Sequence, residues 1–94
     1  MALTVRHDEE AGRFHAAVEG REAEIRYRRA GSGTLDLVST HVPEELRGRG
    51  IAGALAEGVF GWARERGQRL ILTCPYLRAW LERHPEQRDV VVEG

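Results

Sequence analysis

The hydrophobic pattern of this chain changes from alternation to helical spacing at Gly50, and that change limits what it can fold into. Before Gly50, apolar side chains recur at every second position, as on a strand with one buried face. Residues 3–7 (LTVRH) alternate in this way. Residues 13–19 put Phe14, Ala16 and Val18 on one face, and residues 22–29 put Ala23, Ile25 and Tyr27 on one face. Residues 34–42 do the same with Leu35 and Leu37, and the alternation carries Ser39 and His41 onto that side. Polar or glycine turns separate these stretches: residues 8–12, Gly20-Arg21 and Gly31-Ser32-Gly33. After Gly50, residues 51–65 place Ile51, Leu55, Val59, Trp62 and Ala63 at helical spacing, with small Ala54 and Gly58 among them. Gly67 is the stop, behind Arg64 and Arg66, which suit a helix C-terminus. Residues 69–73 (RLILT) read as a buried strand, residues 76–84 as a short helix ended by Pro85, and residues 89–92 as a last strand or an extended tail.

The predicted order is therefore β-β-β-β-α-β-α, an α/β (α+β) chain with a mostly antiparallel mixed sheet. A long helix between strands four and five makes those two strands parallel neighbours with a right-handed crossover. At 94 residues, one domain over 1–94 is expected, with no linker, repeat or low-complexity segment. No apolar run approaches the ~20 residues that span a bilayer, and the acidic N-terminal stretch does not read as a secretion signal. The expectation is a cytoplasmic protein with no membrane partner. Net charge is −1, so nothing draws the chain as a whole to nucleic acid. Its single cysteine, Cys74, excludes an internal disulfide and a cysteine zinc site. His7, His15 and His84 lack metal-ligand spacing, so no metal is expected. So small a domain without staples relies on its core or on oligomerisation, which leaves a homodimer open. All fourteen basic residues are arginine, so an acyl donor finds no lysine amine here.

The point where the period changes has its own chemistry. Arg47-Gly48-Arg49-Gly50-Ile51-Ala52 joins the fourth strand to the helix. A helix start leaves backbone N–H groups without partners and carries partial positive charge, a ready anion site. Gly48 and Gly50 remove side chains that would keep a diphosphate from the backbone. Ala52 and Gly53 keep the first turn narrow, and Arg47 and Arg49 offer charge-assisted bonds. A nucleotide P-loop is excluded because no Gly-Lys-Ser/Thr is present. A dinucleotide fold is excluded because the spacing is not G-x-G-x-x-G and no β-α-β unit opens the chain. Taken alone, the turn reads equally well as a loop that enters a helix and binds nothing. An arginine–glycine RNA-binding element is the poorer fit, since those come as repeated disordered tracts.

Arg47-x-x-Gly50-x-Ala52 after a strand resembles the coenzyme A pyrophosphate motif of the GCN5-related N-acetyltransferases, Q/R-x-x-G-x-G/A. The segment HVPEELRGRGIA (residues 41–52), followed by Thr73-Cys74-Pro75-Tyr76, is similar to a subfamily of very small, single-domain members, the N-acetyltransferase domain-containing kind. The likeness covers roughly residues 22–85. It implies a minimal N-acetyltransferase-like fold with acetyl-CoA as donor and an amine as acceptor. It implies a diphosphate on the N–H groups of Gly48, Arg49, Gly50, Ile51, Ala52 and Gly53. It also implies that the pantetheine arm runs between splayed fourth and fifth strands, bonded to backbone near Thr40 and Val42. Full-length members carry two helices between their first and second strands that help shape the acceptor site; here only residues 8–12 stand there.

In that frame His41 and Cys74 lie at the ends of the two splayed strands. His41 is the candidate base for direct transfer. Cys74, ahead of a helix start that favours thiolate, is the candidate nucleophile for a covalent route. A buried inert cysteine and a strand-end histidine bonded to backbone are the alternative readings. Tyr76 covers the pantetheine, donates a proton to the leaving thiolate, or simply packs. Trp62 and Trp80 read as core, and Arg78 and Arg83 as a solvated face within reach of a CoA 3′-phosphate. Glu44 and Glu45 are expected to point away from the turn. Three functions stay open: an acetyl-CoA-dependent N-acetyltransferase acting on an unidentified amine, a non-catalytic acyl-CoA-binding or sensing module, and a protein interaction domain with a vestigial motif.

Overall fold

A computed structural model describes residues 3–92; the two residues at each end of the expected 1–94 domain lie outside the described residues. The strands are β1 (Arg6–Asp8), β2 (Arg13–Val18), β3 (Arg21–Arg29), β4 (Thr34–His41) and β5 (Arg69–Leu72). The helices are α1 (Ile51–Arg66), between β4 and β5, and α2 (Pro75–Arg83), after β5. The five strands form one sheet in sequential order. β1 to β4 are antiparallel, and β4 and β5 are parallel, as the long intervening helix requires. A 3₁₀ turn, Glu44–Leu46, precedes α1, and another, Pro85–Val90, follows α2. In place of a last strand, Val91 makes a single parallel bridge to Leu70.

The period-two residues supply the core. Phe14, Ala16, Ala23, Ile25, Leu35 and Leu37 are almost fully buried, and Leu55, Val59, Phe60 and Ala63 of α1 meet them. Trp80 of α2 packs on Phe60 with ring centroids 5.0 Å apart. Gly58 is small for a reason: a Cβ there would stand 2.7 Å from Val5 Cγ2, because the segment before β1 crosses the helix at that point. That crossing also explains why residues 3–5 are not a strand. They lie against α1 and extend no ladder, so β1 begins only at Arg6. Gly67 ends α1 with φ 67°, and Gln68 N–H donates back to the Ala63 carbonyl at 2.9 Å.

The β2–β3 turn falls one residue earlier than the glycine suggests. Val18 pairs with Arg21, so Glu19 and Gly20 are its central residues, with φ 52° and 78°. Two left-handed residues suit the twist of a two-residue hairpin. Among the described residues Glu19 is the one non-glycine with positive φ, a conformation that costs a side-chain-bearing residue roughly 1–2 kcal/mol.

Along β4 the alternation breaks. Leu37 pairs with Tyr27 and Ser39 pairs with Arg26, so Val38 is an extra residue in a β-bulge. Cross-strand partners share a face. Thr40, opposite buried Ile25, therefore lies on the core face, while Ser39 and His41 lie opposite Arg26 and Glu24 on the other. This corrects the expectation that Ser39 and His41 continue the Leu35–Leu37 face.

The other face of β2–β4 is covered by charge. Arg13 bridges to Glu22 at 3.0 Å and Glu24 at 2.9 Å, Arg26 to Glu24 at 2.6 Å, and Arg28 to Asp36 at 3.1 Å. Burial alone would raise the Glu24 carboxyl, but its bonds from Arg13 and Arg26 outweigh that and hold it below the ordinary value. Asp36, the one buried charged residue among the described residues, also accepts from Thr73 Oγ1 at 2.6 Å.

Candidate functional site

β4 and β5 part company at Leu37. Their pairing runs from Thr34–Arg69 to Leu37–Leu72 and stops there. The Leu37 carbonyl accepts both Thr73 N–H at 3.1 Å and Cys74 N–H at 3.0 Å, so the last rung of the ladder turns β5 away into α2. From Val38 onward β4 pairs only with β3. The two strands are splayed, and the bulge sits where the splay begins.

The glycine turn closes one end of this opening. Gly48 and Gly50 have φ of 82° and 77°, which only glycine adopts without strain. A Cβ on either would meet nothing within 4 Å, so the backbone conformation, and not crowding, requires glycine here. The first helical bond runs from Ala54 N–H to the Gly50 carbonyl at 3.0 Å, and α1 has no side-chain cap. The N–H groups of Ile51, Ala52 and Gly53 have no acceptor among the described residues. They belong to a cleft of about 210 Å³, bounded by Val42 after β4, by Arg47 and Gly48, and by Tyr76 on α2. The Tyr76 hydroxyl and Trp80 Nε1 approach Gly53: a Cβ built there would lie 3.9 Å and 3.4 Å from them. Arg47 is exposed, and its Nε donates to the Val42 carbonyl at 3.1 Å.

The other expected residues are placed unevenly. Cys74 is buried at the start of α2, and its Sγ stands 3.4 Å from Thr40 Oγ1. The bulge produces this contact, so the neighbour of Cys74 is the Thr40 hydroxyl, which the sequence reading had engaged only through its backbone. His41 is exposed on the opposite face, opposite Glu24, and is not brought to Cys74. Arg49 does not border the cleft. Its Nη1 donates to Glu19 Oε2 at 2.5 Å, across thirty residues of chain. Glu44 and Glu45 are exposed, Glu45 reaching Arg21 at 3.5 Å. Arg78 donates to the Leu72 and Thr73 carbonyls at 3.3 and 2.9 Å, which braces the end of β5. Asp36 and Glu19 were not singled out from the sequence. An acid between two core leucines was a usable signal for Asp36; Glu19 carried none, because its partner is remote.

Among the described residues no three His, Cys, Asp or Glu side chains gather as a metal site, and no helix is long and apolar enough to cross a membrane.

In sequence and in overall fold the chain is similar to known proteins. Residues 13–90 match a family model described as GCN5-related N-acetyl-transferase. The chain is 33% identical over 86 residues to Protein NATD1 of Xenopus tropicalis, covering 89% of this chain and 79% of that one. It is 34% identical over 85 residues to Protein NATD1 of Danio rerio, covering 88% and 77%. The NMR solution structure of a GCN5-like protein from Staphylococcus aureus superposes with a TM-score of 0.75 at 28% identity, covering 98% of this chain and 90% of that one.

Proposed function

This chain belongs to the GCN5-related N-acetyltransferase family, and from that premise we propose that it binds acetyl-CoA in the cleft at the start of α1 and transfers the acetyl group to an amine. The observation that carries the reading is the row of unpartnered N–H groups on Ile51, Ala52 and Gly53, opening into a cleft that adjoins the gap between β4 and β5. A diphosphate there meets several donors and the positive end of the helix at once. Gly48 and Gly50 let it approach the backbone, and Arg47, next to the cleft, adds charge. The pantetheine arm lies along the unpaired part of β4, bonded to backbone near Thr40 and Val42, with Tyr76 over it.

For the chemical step we favour the covalent route, because Cys74 has the Thr40 hydroxyl beside it while the base of the direct route, His41, lies on the other face. Cys74 Sγ attacks the thioester carbonyl, the bond from that carbon to the CoA sulfur breaks, and CoA leaves as the thiol, taking up the proton that Cys74 loses, with the Tyr76 hydroxyl the candidate relay. An amine nitrogen then attacks the acetyl-cysteine, the bond from the acetyl carbon to Sγ breaks, and the proton that the nitrogen gives up restores the Cys74 thiol. A non-catalytic acyl-CoA-binding module is the second reading. It is favoured by the face of β2–β4 opposite the core, where cross-strand ion pairs take the place of an acceptor-shaping layer.

Calorimetric titration with acetyl-CoA tests the premise; no binding at about millimolar ligand rejects both readings. Intact mass after mixing tests the covalent route. The sequence has one cysteine, so an acetyl adduct labile to neutral hydroxylamine reports on Cys74; an adduct that persists in Cys74→Ala removes that residue from the mechanism. Release of CoA thiol across an amine panel, lysine-containing peptides included, separates enzyme from binding module. We further propose a single domain located in the cytoplasm; fractionation of tagged protein tests the location, and a sedimentation profile decides between monomer and homodimer.

A further inference from the structure

We propose that Glu19, on the β2–β3 turn, is a positioning residue for the glycine turn: through Arg49 it holds Gly48–Gly50 in the binding conformation before any ligand arrives. The inference rests on the acetyl-CoA reading above. Gly48 and Gly50 stand on either side of Arg49 in left-handed conformation, and no atom crowds either of them. No side chain or backbone atom wedges these two positions, and a glycine on each side of Arg49 leaves the turn a large conformational freedom to lose on ligand binding. Arg49 is the residue between them, and its guanidinium turns away from the cleft to the Glu19 carboxylate. Glu19 is fixed in turn, because Val18 and Arg21 close a two-residue hairpin around it. It also occupies a left-handed position that suits Asn or Gly better. A strained glutamate at a turn is accounted for if its carboxylate is needed at the end of a three-atom side-chain reach that Asn and Gly lack.

This assigns the two arginines different work. Arg47 borders the cleft and is free to meet phosphate after releasing the Val42 carbonyl; Arg49 is a strut anchored on a distant hairpin. The opposite hypothesis, in which Glu19 competes with phosphate for Arg49, predicts the opposite sign.

The test compares the wild-type protein with Glu19→Asn, Arg49→Gln and the double variant. Asn relieves the turn, so Glu19→Asn is expected to raise the melting temperature or leave it unchanged. It is also expected to weaken acetyl-CoA binding by about two- to fivefold, the range of one exposed ion pair. Arg49→Gln weakens binding by the same factor, and the double variant by no more than either single one. In the ligand-free protein, backbone NMR order parameters at Gly48 and Gly50 are expected to be lower in all three variants than in the wild type. Unchanged or tighter binding in Glu19→Asn, with the wild type binding normally, overturns the positioning role and leaves the acetyl-CoA reading standing. Unchanged order parameters overturn it without reference to any ligand. If the wild type itself binds no acetyl-CoA, the reading and the role fall together.

Discussion

The two halves of β4 share a strand neighbour on one side, and only the first half has one on the other. From Leu35 to Leu37 the strand is paired with both β3 and β5, and Leu35, Asp36 and Leu37 are all buried. From Ser39 to His41 it is paired with β3 alone, and its side chains are exposed or half-buried. One extra residue, Val38, and one carbonyl, that of Leu37, separate the halves. The first half is where stability is concentrated, because backbone bonds and apolar contacts act on the same residues. The second half gives up a strand partner and gains a gap edged with backbone groups. Placing the change at a bulge lets the ladder end without pulling the core residues out of register.

The sharpest way to break this contrast is to truncate the closed half. Leu37→Ala leaves a void at a fully buried site and is expected to cost about 2–5 kcal/mol, which urea titration reads directly. A loss below about 1 kcal/mol would mean that the last rung does not carry the packing assigned to it. Next is the polar clasp on the other face. Asp36→Ala leaves Thr73 Oγ1 and the Arg28 guanidinium without their shared carboxylate, at a cost of about 1–3 kcal/mol. Because Thr73 stands beside Cys74, this variant is also expected to alter adduct formation by acetyl-CoA in the intact-mass assay.

Gly50→Ala probes the open half from the helix side. Its φ of 77° makes alanine strained, at roughly 1–2 kcal/mol, and acetyl-CoA binding is expected to weaken about tenfold or more. Equal affinity in a folded variant would remove the turn from the site.

The smallest effect concerns the support behind the closed half. Tyr27, the partner of Leu37, has its hydroxyl 2.6 Å from His7 Nε2, and His7 stacks on Phe14 at 4.2 Å and meets Trp62 edge-on at 4.8 Å. Burial in this cluster holds the His7 imidazole below its ordinary value of 6.5, with Arg29 and Arg66 adding to the effect while Glu9 and Asp8 oppose it. The unfolded chain therefore takes up this proton more readily than the fold does. Stability from His7 is complete above 6.5 and is lost as pH falls from there through the lowered folded value. Urea midpoints should fall modestly between about pH 7.5 and about pH 5.5, and His7→Gln should flatten that fall. A flat profile in the wild type would show that the cluster tolerates the charge.

Local pattern was enough for much of this. The period-two runs around Phe14, Ile25 and Leu37, the helical spacing of Ile51, Leu55 and Val59, and the crossover that makes β4 and β5 parallel were all legible, because each depends on which residues are apolar and how far apart they stand. The Arg47–Ala52 turn was legible for the same reason, since glycine and helix start are neighbours in the chain. What only the tertiary structure decided turns on single residues meeting across distance. The bulge at Val38 shifts the rest of β4 by one residue, and in a strand one residue exchanges the faces. That puts Thr40, not His41, beside Cys74. Arg49, read locally as a phosphate ligand, is instead turned to Glu19, and no pattern near either residue announces a partner thirty positions away. Alternation and helical period are properties of one segment; register and ion pairing are properties of two, and they exist only once both segments are in place.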